Sequence, residues 1–191
     1  MHLHLVDRPV AALVLGHGAG GGVSAPDLVA VTGAAVALDI AVALVEQPYR
    51  VAGRRSPAPA RQLDAAWTAV LGELGEGALR GLPVIAGGRS SGARVACRTA
   101  ASVGAVAVVC LAYPVHPPGR GDDPTKSRLP ELDAVAVPTL VVQGQSDPFG
   151  MPPGGPDRTV IAVPGDHALR RTAEVAAAAS DWLAVLAQML P

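Results

Sequence analysis

The chain has 191 residues, of which 50% are apolar and 16% charged, and its formal net charge at pH 7 is −1. We expect one domain over residues 1–191, since this length gives a sizeable core. A near-neutral chain without a basic block is not expected to bind nucleic acid through phosphate contacts. The N-terminus has no signal led by Lys or Arg, and its apolar run is too short to span a bilayer. We therefore expect a soluble, cytoplasmic protein without a membrane partner.

Apolar runs recur along the chain and indicate strands. Residues 10–15 show no polar alternation, which is typical of a strand buried on both faces of a parallel sheet. Five further strands are predicted, at 40–45, 83–86, 105–112, 139–143 and 159–163. Alternating His and Leu at residues 2–6 indicate an edge strand with solvent-facing histidines.

Helices are predicted between these strands. Ser24 is the expected N-cap of a helix that has Pro26 and Asp27 in its first turn and runs to about Leu38. The other predicted helices cover 60–74, 93–101 and 168–190. Residues 47–59 and 113–133 are rich in proline and charge, which predicts loops, the second with room for a short helix.

Alternating strands and helices predict an α/β fold: a three-layer α/β/α sandwich around a mostly parallel sheet of about six or seven strands. Its crossovers should be right-handed. Ligands of such sheets bind beyond the carboxyl ends of the strands, so the residues that follow each strand are the candidate site.

Gly88, Ser90 and Gly92 match the pattern G-x-S-x-G between a predicted strand and a predicted helix. A sharp turn of this kind exposes a serine Oγ, and only small flanking residues let the two segments pack closely. Ser90 is therefore a candidate nucleophile. The alternative is an ordinary serine in a glycine-rich turn.

Three other strand ends carry distinctive residues. A glycine cluster, residues 16–22 (GHGAGGG), follows the first buried strand, Asp147 follows the fifth and His167 the sixth. The order Ser, Asp, His on loops after strands is that of the α/β-hydrolase triad. Asp147 as a turn former is the alternative, with Asp166 and Asp157 as weaker rivals for its role.

The sequence resembles small, lidless α/β-hydrolases of the dienelactone-hydrolase-like type. The nearest branch is that of small bacterial proteins related to the hydrolase-like domain of eukaryotic testis-expressed and chromatin-complex subunit proteins. Five stretches carry the resemblance: 16–22, 87–96 (GGRSSGARVA), 113–120 (YPVHPPGR), 143–150 (QGQSDPFG) and 165–169 (GDHAL).

The resemblance implies Ser90 as nucleophile, Asp147 as acid and His167 as base, with no cofactor. Dienelactone hydrolases have a cysteine at the elbow, so their substrate is not implied here. The expected oxyanion hole is formed by the backbone N–H of Ser91 and that of Ala19, with Gly20 as the alternative to Ala19.

Other polar residues have simpler interpretations. His17 is expected to order the glycine loop, and His116 to lie in a loop near the mouth of the site. Binding of a metal by these histidines and His167 lacks a supporting spacing, so no metal is expected. Cys97 and Cys110 are predicted to be buried thiols. Most arginines near the site are expected to be solvated or structural, although a set of them is a candidate for attracting an acidic substrate group: Arg54, Arg55, Arg89, Arg94 and Arg120.

These features predict a serine hydrolase that cleaves a small-molecule carboxylic ester or thioester through an acyl-serine intermediate. No lid is expected over the site, which the loop 113–133 would border. Two alternatives stay open: a non-catalytic binding or scaffold protein on the same fold, and a serine peptidase or amidase.

Overall fold

The structure is a computed structural model that describes residues 1–190, and its centre is a seven-stranded sheet in the order β1-β3-β2-β4-β5-β6-β7. Only β1 is antiparallel to its neighbour; the other five pairings are parallel. The strands are β1 (His2–His4), β2 (Ala11–Gly16), β3 (Ile40–Val45), β4 (Val84–Arg89), β5 (Ala107–Leu111), β6 (Thr139–Gly144) and β7 (Arg158–Val163).

Helices cover both faces of this sheet. They are α1 (Pro26–Val36), α2 (Pro48–Val51), α3 (Ala60–Glu76), α4 (Ser91–Thr99), α5 (Leu129–Asp133) and α6 (Thr172–Ala187). A short 3₁₀ turn, Pro124–Lys126, precedes α5. The predicted three-layer α/β/α sandwich with about seven strands is therefore confirmed.

Each inner strand contributes side chains to two separate apolar cores, because successive residues of a strand point to opposite faces. Leu13 and Leu15 of β2 belong to the core under α1 and α6. Ala12 and Val14 of the same strand belong to the core under α3 and α4. Burial on both faces explains why these strands are continuous apolar runs in the sequence.

The segment that begins α1 differs from the prediction. Ala25, not Ser24, is the N-cap, no side chain caps the helix, and the helix ends at Val36 rather than near Leu38. Asp27 instead turns inward and pairs with Arg89 of β4. A tertiary ion pair therefore replaces the local capping arrangement that the sequence suggested.

Several other boundaries also shift. Strand β4 continues through the glycines to Arg89, three residues beyond the predicted end, and α6 is shorter at both ends than the predicted 168–190. The predicted loop 47–59 contains α2, and the loop 113–133 contains α5. The histidines of β1 are exposed on the edge strand, as predicted.

Strands β2 and β4 are neighbours in the middle of the sheet. Strand β3, which follows β2 in the chain, lies on one side of β2, whereas β4 and the later strands lie on its other side, so the strand order reverses at this point. Such a switch point opens a crevice beyond the carboxyl ends of the two strands. The glycine loop follows β2, and Ser90 follows β4. The fold therefore places these two segments side by side. No helix in the described part of the chain is long and apolar enough to cross a membrane.

Candidate active site

Ser90 occupies a sharp turn between β4 and α4. Its φ of 52° and ψ of −108° are unusual for a residue with a side chain, and such strain costs on the order of 1–3 kcal/mol. The turn is held by the N–H of Ser90, which donates to the carbonyl of Leu111 at 2.8 Å. A Cβ on Gly88 would lie 2.5 Å from the carbonyl oxygen of Gly16, and one on Gly92 would overlap that same carbonyl. Only glycine fits at both positions, as the motif predicted.

The side chains of Ser90, His167 and Asp147 form one hydrogen-bonded chain. Nε2 of His167 lies 3.0 Å from Oγ of Ser90, and its Nδ1 lies 2.8 Å from Oδ2 of Asp147. The Asp147 side chain is 1% exposed and that of His167 is 18% exposed. The structure thus brings together the three residues that the sequence singled out, from loops after β4, β6 and β7.

The carboxylate of Asp147 is held by one group on its own loop and one on the preceding strand, β6. Its Oδ1 accepts the N–H of Phe149 at 2.8 Å, and its Oδ2 accepts Nε2 of Gln143, also at 2.8 Å. The Phe149 ring packs against the imidazole of His167, with ring centroids 4.3 Å apart. Asp147 is both the turn former and the partner of His167, so the two interpretations of this residue are compatible. The sequence analysis did not identify Gln143, which lies within the apolar pattern of a strand.

Arg89 connects helix α1, the histidine loop and the glycine loop at the site. Its Nε donates to Oδ2 of Asp27 at 2.7 Å, and its Nη2 donates to the backbone carbonyl of His167 at 2.9 Å. A Cβ on Gly18 would lie 2.9 Å from Nη1 of Arg89, so the guanidinium also lies against the glycine loop. Burial raises the pKa of Asp27, and Arg89 counteracts this by stabilising the carboxylate. Arg89 is therefore a structural arginine, one of the interpretations that the sequence left open.

His17 is fully buried and orders the glycine loop, which was its expected role. Its Nδ1 lies 2.8 Å from the carbonyl of Gly18, and its Nε2 accepts the N–H of Gln47 at 2.9 Å. This pattern fixes the tautomer, since Nε2 must be unprotonated to accept and Nδ1 then carries the proton. Burial lowers the pKa of His17, which keeps the ring neutral.

A groove of about 370 Å³ opens beside Ser90 and contains the two segments predicted to form the oxyanion hole. Ala19 and Ser91 both line it, and their N–H groups donate to no acceptor among residues 1–190. The hydroxyl of Tyr49 donates to the carbonyl of Ala19 at 3.0 Å and so helps to fix the glycine loop. Gly20 lies on the exposed part of this loop, where a Cβ added to it would have no atom within 4 Å.

The other residues that the sequence offered as candidates for the site have different contacts. Asp166 accepts the N–H of Ala168 in the turn before α6, and Asp157 lies just before β7. Nδ1 of His116 contacts the carbonyl of Pro117 in the loop after β5. Of the candidate arginines, Arg94 lines the groove, whereas Arg54, Arg55 and Arg120 are exposed. Within residues 1–190, no cluster of three or more His, Cys, Asp or Glu side chains is placed to hold a metal ion.

A mostly parallel sheet, a strained serine after a central strand and a hydrogen-bonded Ser–His–Asp chain together define the α/β-hydrolase class. The sequence agrees: residues 9–183 match the family described as alpha/beta hydrolase domain. The chain therefore belongs to the alpha/beta hydrolase domain family. The narrower relation to testis-expressed and chromatin-complex proteins stays a prediction.

Solved structures show the same fold. A lidless α/β serine hydrolase from Xanthomonas campestris superposes with a TM-score of 0.74 at 20% identity, over 99% of this chain and 88% of the other. Est1E from Butyrivibrio proteoclasticus, solved with ferulic acid bound, gives 0.74 at 16% identity over 95% and 92%. The esterase domain of a Rhodothermus marinus protein gives 0.70 at 17% identity over 98% and 91%. No curated protein matches the chain in sequence.

Proposed function

We propose that the protein is a serine hydrolase that cleaves carboxylic esters or thioesters through an acyl-Ser90 intermediate. The observation that carries this proposal is the continuous chain of hydrogen bonds from Asp147 through His167 to Ser90. A serine hydroxyl is a weak nucleophile at neutral pH, and a neighbouring imidazole that accepts its proton overcomes this weakness.

In the first half of the reaction, Oγ of Ser90 attacks the substrate carbonyl carbon while Nε2 of His167 takes the hydroxyl proton. The carboxylate of Asp147 keeps the other ring nitrogen protonated and stabilises the imidazolium. The N–H groups of Ala19 and Ser91 bind the oxyanion, and each such donor contributes about 10²–10³ in rate. The tetrahedral intermediate then expels the alcohol or thiol, which receives the proton from His167.

Water completes the cycle by attacking the acyl carbon of acyl-Ser90. His167 accepts a proton from this water and returns it to Oγ as the acyl–oxygen bond breaks, which releases the acid. The groove beside Ser90 is open to solvent and small, in keeping with a small acyl substrate and with the absence of a domain-sized cap among the described residues.

Intact-mass labelling with a neutral fluorophosphonate tests the proposal directly. We expect one adduct on the wild-type protein and none on Ser90→Ala. Ser91→Ala is the matched control, because its proposed role uses only the backbone N–H, and it should still be labelled. Hydrolysis of short acyl esters should fall by about 10⁶-fold in Ser90→Ala. A folded wild-type protein that neither reacts with the probe nor cleaves any ester would contradict the proposal and favour the scaffold alternative.

A further inference from the structure

Three arginines lie in the wall of the groove that contains Ser90: Arg94, Arg98 and Arg128. Arginines that line a small groove beside a nucleophile are either neutralised by carboxylates or available to a ligand. The three are therefore distinguished by their partners.

Two of the three are fully paired. Arg94 forms a bidentate salt bridge with Glu131, in which Nε donates at 2.8 Å and Nη2 at 2.5 Å. Arg98 forms a second such pair with Asp64, at 2.9 and 2.6 Å, and also contacts Glu131 at 3.1 Å. Burial raises the pKa of Glu131, but Arg94 and Arg98 outweigh this effect and hold it below its usual value. Both carboxylate oxygens of Glu131 thus accept hydrogen bonds from Arg94 or Arg98.

Arg128 has no such partner. Its side chain makes one long hydrogen bond, from Nη1 to the carbonyl of His116 at 3.4 Å, and no carboxylate of residues 1–190 lies within 4 Å of it. The residue is half-buried, and both burial and the nearby charge of Arg94 lower its pKa, an effect that the charge of Glu131 only partly offsets. The three arginines share two carboxylates, Glu131 and Asp64, so the groove wall holds one positive charge in excess, in a place where water only partly screens it.

The backbone of Arg128 is held in place on both sides. Its N–H donates to the carbonyl of Val115 at 2.7 Å, and its own carbonyl accepts the hydroxyl of Tyr113 at 2.7 Å. Tyr113 is fully buried immediately after β5. The fixed backbone sets where this side chain starts in the groove wall, so binding a ligand needs to order only the side chain of Arg128 and not its loop.

We propose that Arg128 binds an anionic group of the substrate, so that the esters cleaved at Ser90 carry a carboxylate or a similar anion on either the acyl or the leaving-group side. The guanidinium suits this role because its planar set of N–H donors matches the geometry of carboxylate and phosphate oxygens. The rest of the groove is largely apolar, with Leu63, Pro114 and Phe149 among its lining residues. It would accommodate the short carbon chain between the anion and the scissile carbonyl. This inference rests on the proposed function.

Two isosteric ester pairs test it by steady-state kinetics. Monoethyl succinate against ethyl 4-oxopentanoate places the charge on the acyl side, and acetoxyacetate against acetoxyacetone places it on the leaving-group side. We expect wild type to favour the charged member of one pair by about 10- to 100-fold in kcat/KM, since hydrogen bonds to charged groups contribute this much. Which pair responds identifies the side that carries the anion.

The variant Arg128→Gln should lower this preference to about unity, mainly by raising KM for the charged ester, while kcat/KM for the neutral esters changes much less than kcat/KM for the charged ones. Arg128→Lys should retain part of the preference. Arg120→Gln, at an exposed arginine of the same loop, is the matched control and should leave the preference unchanged. Equal kcat/KM within both pairs in wild type, or a preference that survives in Arg128→Gln, overturns the inference and leaves the proposed function intact.

Calorimetric titration covers the case in which the wild type hydrolyses nothing and the proposed function itself fails. The non-hydrolysable 4-oxopentanoate should bind wild type more tightly than neutral hexane-2,5-dione, and this difference should vanish in Arg128→Gln. Equal binding of the two ligands, or a difference that Arg128→Gln retains, overturns the proposed anion site independently of catalysis.

Discussion

Nη2 of Arg89 donates to the backbone carbonyl of His167 at 2.9 Å, while Nε of the same guanidinium is bound to Asp27 at 2.7 Å. The residue that immediately precedes the candidate nucleophile therefore also holds the loop of the candidate base. Because Asp27 is 1% exposed and lies in the first turn of α1, this link anchors the histidine loop to the body of the fold.

We expect Arg89→Lys to lower kcat for ester hydrolysis by about 10- to 100-fold with little change in KM. A lysine can keep the ion pair with Asp27, but its ammonium group cannot also reach the carbonyl of His167 as the planar guanidinium does. The imidazole would then be misplaced, and misplacement of a catalytic group lowers the rate by this amount. Arg89→Met should in addition lower the free energy of unfolding by about 3–5 kcal/mol, because it leaves Asp27 buried and unpaired. Steady-state kinetics and urea unfolding measure the two effects. Full activity in a folded Arg89→Lys protein would show that the histidine loop does not depend on this contact.

Asp147→Asn should reduce ester hydrolysis by about 10⁴-fold while the protein stays folded. The asparagine oxygen can still accept the N–H of Phe149, which leaves its amide group facing Nδ1 of His167. An amide that donates to Nδ1 forces the proton onto Nε2, and a protonated Nε2 cannot accept the proton of Ser90. Kinetics at saturating ester test this expectation, with circular dichroism as the check on folding. Asp166→Asn, in the neighbouring turn, serves as the control and should retain most activity.

Gly88→Ala should lower the free energy of unfolding by about 3 kcal/mol or prevent folding, since its Cβ would meet the carbonyl oxygen of Gly16 at 2.5 Å. That oxygen belongs to β2, which pairs with β4 along its length and has no room to move away. Gly72→Ala in α3 is the matched control, because its Cβ would have nothing within 4 Å, and it should stabilise the protein by up to about 1 kcal/mol. Urea unfolding of both variants distinguishes them, and equal stability would show that the turn can relax.

The strands were largely predictable because burial on both faces leaves a continuous apolar signal, as in residues 10–15. The end of β4 was not, because Gly87 and Gly88 carry no such signal although they pair with β5 as ordinary strand residues. The start of α1 was wrongly predicted for a different reason. Asp27 resembles a capping residue locally, but its partner Arg89 is 62 positions away in the sequence.

The same distinction between local patterns and tertiary contacts decides which residues of the candidate site could be predicted. Ser90, Asp147 and His167 lie within the first four residues after a strand, where the edge of a parallel sheet brings them together, so their positions could be predicted from the sequence. Arg128 lies late in the long loop after β5, whose path depends on contacts such as that between Arg128 and Tyr113. Gln143 is a single polar residue within a strand, and only the structure shows that it faces Asp147. Residues that support the site through tertiary contacts leave no local pattern.

The stability of the protein should depend on pH through His17. Burial lowers the pKa of His17 below its ordinary value of 6.5, so the unfolded chain binds a proton more readily than the folded one. The stabilising contribution of the neutral ring is therefore complete above about pH 6.5 and is lost as the pH falls toward the folded pKa. Its slope is at most about 1.4 kcal/mol per pH unit for this single proton. Urea unfolding at pH values from 7 to 5 measures it.

His17→Gln should flatten this profile, because glutamine does not titrate in this range and its side-chain oxygen can still accept the N–H of Gln47. At pH 7 the variant should be less stable by about 1–3 kcal/mol, since the contact with the carbonyl of Gly18 is lost from a buried position. His4→Gln on β1 is the matched control; its side chain is exposed, so the variant should follow the wild-type profile. If His17→Gln instead keeps the wild-type slope between pH 7 and 5, the acid sensitivity arises from another group, and the neutral buried ring does not account for it.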